Sequence, residues 1–176
     1  MKLIRRSLAV LALSLLAISG GLAQETCKRD VEAGFSVCVP EGWSVETQPD
    51  QKFKAFFAPK AEIFTANINM RDDPSNASFM IYVGQSIKQV LSNPPSISAT
   101  NIKLVGWVDF ATAAGVNGNK AIFETEFKGL LIRTVQYYID GGTDRKFIVT
   151  GTCLVKDKDT FDSVFERAAK TFRVEN

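Results

Sequence analysis

Histidine is missing from all 176 residues, and that absence removes a large share of enzyme chemistry. Serine and cysteine hydrolysis with an imidazole base cannot be assembled, and general acid–base catalysis loses its commonest side chain. There is no CxxC pair, so a zinc site has neither of its usual donor patterns. The twelve glycines form no GxGxxG or P-loop spacing, which leaves no familiar phosphate cradle. Lysine and arginine are scattered rather than clustered, so nothing suggests nucleic acid or an anionic membrane surface as a partner.

The carboxylates do little to fill the gap. Two acids can cooperate across a scissile bond, and Asp72-Asp73 and Glu124/Glu126 are the pairs at hand. The first reads as loop polarity before Pro74, the second as the solvated side of a strand. Asp157, Asp159 and Asp162, and likewise Asp140-Gly141-Gly142-Thr143-Asp144, lack the full ligand series of a calcium loop. Helix-dipole compensation accounts for the former and turn chemistry for the latter. Asn76-Ala77-Ser78 is a glycosylation sequon, of consequence only in a eukaryotic host. The expectation is a protein that is not an enzyme, with no catalytic residue, no cofactor and no metal ligand.

What is present begins with an export signal. Lys2, Arg5 and Arg6 precede an apolar run over residues 8–18, and Gly21-Leu22-Ala23 supplies small residues for a signal peptidase. The run is shorter than the about 20 residues of a membrane span, and cleavage is expected after Ala23. Cys27 lies too far on for the lipoprotein pattern, since Gln24-Glu25-Thr26 intervenes. The domain reading is therefore a signal peptide over 1–23 and one domain over 24–176, without a transmembrane segment in the mature chain. Lys and Arg total 21 and Asp and Glu 19; three of the bases lie in the signal, leaving 18 against 19 and a mature charge of −1.

All 13 phenylalanines fall in the mature part, a core-building composition for a single domain. Gly34 to Val39 alternates Phe35, Val37 and Val39 against Ser36 and Cys38, and Pro40 ends that strand. Strands follow at 53–58 and 62–70, joined at Pro59-Lys60-Ala61, with 72–76 as a loop. Residues 78–92 keep helical spacing through Met80, Val83, Ile87, Val90 and Leu91, with Ser78 as cap and Asn93-Pro94-Pro95 as stop. Residues 102–110 return to strand, and Asn117-Gly118 suits a type I′ turn. Alternation through Ala121, Phe123, Thr125 and Phe127, then β-branched and aromatic runs at 131–139 and 146–155, predicts three more strands. Phe161, Val164, Phe165, Ala168 and Phe172 form one face of a closing helix. The fold class is α+β: an antiparallel sheet flanked by helices, with Phe123 and Phe147 expected to meet Phe161 and Phe165 in one dry interior.

Three cysteines in an exported chain predict one disulfide and one free thiol. Cys27 opposite Cys38 closes a hairpin register that sets Arg29 against Ser36 and leaves Cys153 buried and free; Cys38–Cys153 is the rival pairing. Trp43 and Trp107 are the candidate ligand or partner contacts, with core packing as the competing role for both. Tyr137-Tyr138 places one phenol on each sheet face.

Gly34-Phe35-Ser36-Val37 followed by Val39-Pro40-Glu41-Gly42-Trp43 resembles the opening of PsbP-like domains. The closing part is similar too: Asn117-Gly118-Asn119-Lys120-Ala121, the strand through Gln136-Tyr137-Tyr138, residues 146–152, then Phe161, Phe165, Ala169 and Phe172. The resemblance covers residues 26–174 and extends to the DcrB-like bacterial relatives. It implies an antiparallel sheet between helices (an α-β-α sandwich) and an exported location, periplasmic or extracellular, or the thylakoid lumen in a photosynthetic host. It also implies accessory or assembly work without catalysis. The photosystem member supports calcium and chloride retention; with no histidine here, a histidine-borne metal role does not carry over. The function expected is an exported accessory module that binds another exported or membrane-associated protein or stabilises an envelope complex, with a small-ligand carrier using a groove near Trp43 or Trp107 as the alternative.

Overall fold

The computed structural model describes residues 25–30, 34–46, 55–92 and 99–175, so residues 1–23, expected from the sequence to be an export signal, lie outside the described residues. Two antiparallel sheets are stacked. The smaller has the order β1-β2-β10, from β1 (Glu25–Asp30), β2 (Phe35–Pro40) and β10 (Arg173–Val174). The larger has seven strands: β3 (Ser44–Glu46), β4 (Ala55–Phe57), β5 (Asn67–Pro74), β6 (Ala99–Ala111), β7 (Asn117–Phe127), β8 (Leu130–Asp140) and β9 (Arg145–Leu154). Their spatial order is β3-β4-β5-β9-β8-β7-β6. Helix α1 (Phe79–Ser92) connects β5 towards β6, and α2 (Lys158–Thr171) follows β9. Among the described residues, no helix is long and apolar enough to cross a membrane.

The large sheet carries a helix on each face. On one face Phe165, Ala168 and Ala169 of α2, with Phe172 just beyond it, pack with Val135, Tyr137, Phe147 and Val149 and with Phe35, Val37 and Val39 of β2. On the other, Tyr82, Val83 and Ile87 of α1 cover Ala121, Phe123, Tyr138 and Ile148. The expected single interior is therefore two. Phe147 does join Phe165, but Phe123 lies across the sheet from both Phe161 and Phe165. Successive strand residues point to opposite faces, so Ile122 reaches the α2 core while Phe123 reaches α1.

Four further expectations change. The Asn117-Gly118 pair is not a turn: both residues sit inside β7, opposite Ala111 and Phe110. The chain reverses at 112–116 instead, where Gly115 takes φ +79° and the Thr112 N–H donates to Val116 O at 3.0 Å. Gly118 is needed for closeness, because a Cβ there would lie 2.7 Å from Tyr138 O. The loop expected at 72–76 is strand as far as Pro74, paired with 145–147 of β9. Its acids are absorbed by partners, Asp72 by Arg145 at 3.4 Å and Asp73 by the Tyr82 hydroxyl at 3.0 Å. The irregular stretch falls earlier, between Phe57 and Asn67, where a strand had been expected from 62. Finally, α1 is rotated about its axis from the predicted face. Tyr82 and Ser86 are buried, while Met80 and Leu91 are exposed. Tyr82 drives the rotation by setting its ring edge-on to Tyr138, 6.3 Å between centroids.

Candidate functional site

The two helices cover their faces unequally. Beneath α2 the packing is closed by ion pairs: Arg133 on β8 holds Asp162 through two hydrogen bonds and Glu124 through a third at 3.0 Å. Lys120 holds Glu166 at 2.8 Å. These partners keep the Arg133 guanidinium above its usual range, chiefly through the Asp162 hydrogen bonds, and hold the Glu166 carboxyl low, chiefly through Lys120. Each charge has its counter-charge, so the arrangement is a clasp between helix and sheet.

Beneath α1 the fit is open. Polar residues repeat every second position on the exposed side of adjacent strands: Asn67 and Asn69 on β5, Thr150 and Thr152 on β9, Thr134 and Gln136 on β8, and Thr125 on β7. All seven are half-buried. Strands that alternate in this way give a sheet face suited to water rather than to a dry core. Where α1 crosses it, a cleft of about 210 Å³ remains. Ser86, Gln89 and Val90 of α1 form one wall, and Thr125, Thr134 and Gln136 the floor. Phe123, Tyr138 and Ile102 give it an apolar end, and Arg71 of β5 stands at its margin.

Two separate hydrogen bonds order polar groups at and near the cleft. The Tyr138 hydroxyl donates to Gln136 Oε1 at 2.6 Å. The Tyr82 hydroxyl donates to Asp73 Oδ2, and Arg71 Nη2 lies 3.7 Å from the same oxygen. Burial, above all, pushes both phenols far above the normal tyrosine range, so they stay protonated as donors. Among the described residues no carboxylate lines the cleft. Among the described residues no three His, Cys, Asp or Glu side chains are grouped to hold a metal ion.

The residues singled out from sequence lie elsewhere. Cys27 and Cys38 are joined across β1 and β2 in the expected register, with Arg29 opposite Ser36, and Cys153 is buried and free. Burial pushes the Cys153 thiol up to about 12. Trp43 lies edge-on to Phe161 at 6.3 Å on the α2 side. Trp107 sits on β6 opposite Ala121, on the α1 side, and is 49% exposed rather than packed beneath a helix. The sheet separates the two tryptophans, and neither lines the cleft. Tyr137 and Tyr138 do occupy opposite faces. The cleft was missed because its only signal is the i, i+2 spacing of Thr and Gln within single strands. Adjacency depends on the strand order, which the spacing does not contain.

No protein-family model and no curated protein sequence matches the chain. Solved structures do. The cyanobacterial PsbP (CyanoP) of Synechocystis sp. PCC 6803 superposes with a TM-score of 0.65 at 13% identity, over 89% of this chain and 95% of that one. LpqN of Mycobacterium tuberculosis, described as involved in cell envelope biogenesis, gives 0.63 at 13% identity over 87% and 91%. The Ran-binding protein Mog1p of Saccharomyces cerevisiae gives 0.58 at 9% identity over 86% and 96%. The chain thus has the PsbP-like fold, an α+β arrangement of antiparallel sheet and helices. At these identities the likeness speaks for the fold alone.

Proposed function

We propose that the protein is an exported, non-catalytic accessory module that binds a protein partner or stabilises an envelope or membrane-associated complex. One observation carries this reading: the α1 side keeps large apolar side chains in water. Met80 and Ile81 of α1 are 54% and 57% exposed, and Trp107 of β6 is 49% exposed. Leu91 extends the set, and Lys88 is the single charged residue of α1. Scattered exposed apolar residues are ordinary, but an exposed tryptophan on the same sheet face as a nearly uncharged helix matches the anchor type that dominates protein interfaces.

Export is supported by the Cys27–Cys38 disulfide, since such bonds persist in oxidising compartments. The basic-then-apolar N-terminal stretch agrees with it. The involvement of LpqN in envelope biogenesis and the Ran binding of Mog1p are compatible with a binding role on this fold. Affinity capture from the native envelope fraction, followed by mass spectrometry, tests the reading. A stoichiometric protein partner is expected, lost with Trp107→Ser and Ile81→Glu. Recovery of a small ligand at full occupancy with no protein would overturn it.

A further inference from the structure

We propose that the cleft beneath α1 is a binding site for a small monocarboxylate with an apolar body. Of the polar groups that line it, the Thr125 hydroxyl donates to Thr100 O at 2.8 Å, while Gln136, Gln89, Thr134 and Arg71 still have donors to offer. Gln136 Oε1 is already taken by the Tyr138 hydroxyl, which leaves the amide N–H groups of that side chain to face the cleft. No hydrogen bond to another described residue occupies Thr134 Oγ1 or the Gln89 amide. Arg71 adds a guanidinium whose ion pair with Asp73 is long, 3.7 Å, and largely in water. Asp73 itself accepts the Tyr82 hydroxyl and is not among the lining residues. A site with several donors, one cation and no acid among its described lining residues selects an acceptor with two adjacent oxygens, and a guanidinium matches the carboxylate fork.

The remaining wall sets the rest of the ligand. Phe123, Ile102 and Val90 offer apolar surface next to those donors. The volume, about 210 Å³, is below the roughly 300–1,000 Å³ of sites for drug-sized ligands. A phenyl- or branched-chain alkanoate is the right scale. The cation count disfavours a phosphate, because among the described lining residues only Arg71 is charged. The same chemistry is carried by a free organic acid and by the terminal residue of a polypeptide.

The inference stands apart from the partner-binding reading, so an empty affinity capture leaves it intact. The test is amide NMR titration of the purified protein with 3-phenylpropionate, its neutral amide, and a hexapeptide ending in phenylalanine. Shifts confined to the cleft, at Thr134, Gln136 and Gln89, are expected for the acid, with the neutral amide about tenfold weaker or worse. Arg71→Gln, at an exposed side chain, is expected to weaken the acid by about tenfold while leaving the spectrum folded. Arg71→Lys should restore part of the affinity. Binding of the free acid alone assigns the site to a small metabolite, and comparable or tighter binding of the peptide assigns it to a chain terminus. Equal affinity for acid and amide, indifference to Arg71→Gln, or no binding of either acid overturns the proposal.

Discussion

Arg133 on β8 and Asp162 on α2 face each other side-on, Nε to Oδ1 at 2.9 Å and Nη2 to Oδ2 at 2.7 Å, with the guanidinium almost wholly buried. The fork ties helix to sheet where apolar packing alone would let α2 slide. Asp162→Ala leaves Arg133 with Glu124 alone, and removing one partner of a buried pair is strongly destabilising. A loss of about 3 kcal/mol is expected by denaturant titration, whereas an Arg133→Met, Asp162→Leu double variant should recover most of it. A loss within about 0.5 kcal/mol for the single variant would mean that the clasp is idle.

Gly151 on β9 lies directly under the Phe165 ring, and a Cβ there would fall inside it. Phe165 is 1% exposed and has nowhere to retreat. Gly151→Ala is therefore expected to destabilise by about 1–3 kcal/mol, the usual range for overpacking. Gly84 has open space around its position, and Gly84→Ala should stabilise α1 by up to about 1 kcal/mol. Thermal melts of the two variants should move in opposite directions.

The Glu166 carboxyl is held below its ordinary value of 4.5, first by the Lys120 hydrogen bond and then by Lys170. A depressed carboxylate contributes stability that is complete above the unfolded value and lost as pH falls through the folded one. Stability should thus decline below about pH 4.5 with a steeper slope in the wild type than in Lys120→Met. Urea midpoints collected from pH 6 to about pH 3 give the comparison; parallel curves would remove Lys120 as the cause.

Cys153 is fully buried, its thiol pushed up to about 12, and the other two cysteines are bonded to each other. A thiol reagent at pH 8 should find no reactive group in the native protein and one in guanidinium. Reduction before unfolding should bring the total to the three of the sequence. Loss of the bond closing 11 residues of separation is expected to lower stability by about 2–3 kcal/mol. Two reactive thiols in the unreduced, unfolded chain would fit neither pairing.

Residue spacing determined the elements themselves. Phe35, Val37 and Val39 mark β2 by a period of two, Phe161 to Phe172 mark α2 by a period near 3.6, and the Cys27–Cys38 register follows from the hairpin they bracket. Such patterns are local, because the backbone repeats that generate them span only a few residues. Which helix covers which sheet face was not local. Phe123 and Phe147 look alike in the chain, yet the order β9-β8-β7 and the alternation along each strand send them to different cores. The turn at Gly115 rather than Asn117-Gly118 was decided in the same way, by the approach of Tyr138 O to Gly118. The cleft belongs wholly to this second kind. Thr134, Gln136, Gln89 and Arg71 come from three separate elements, and they share one recess only because a single fourteen-residue helix is laid over a sheet too wide for it to cover.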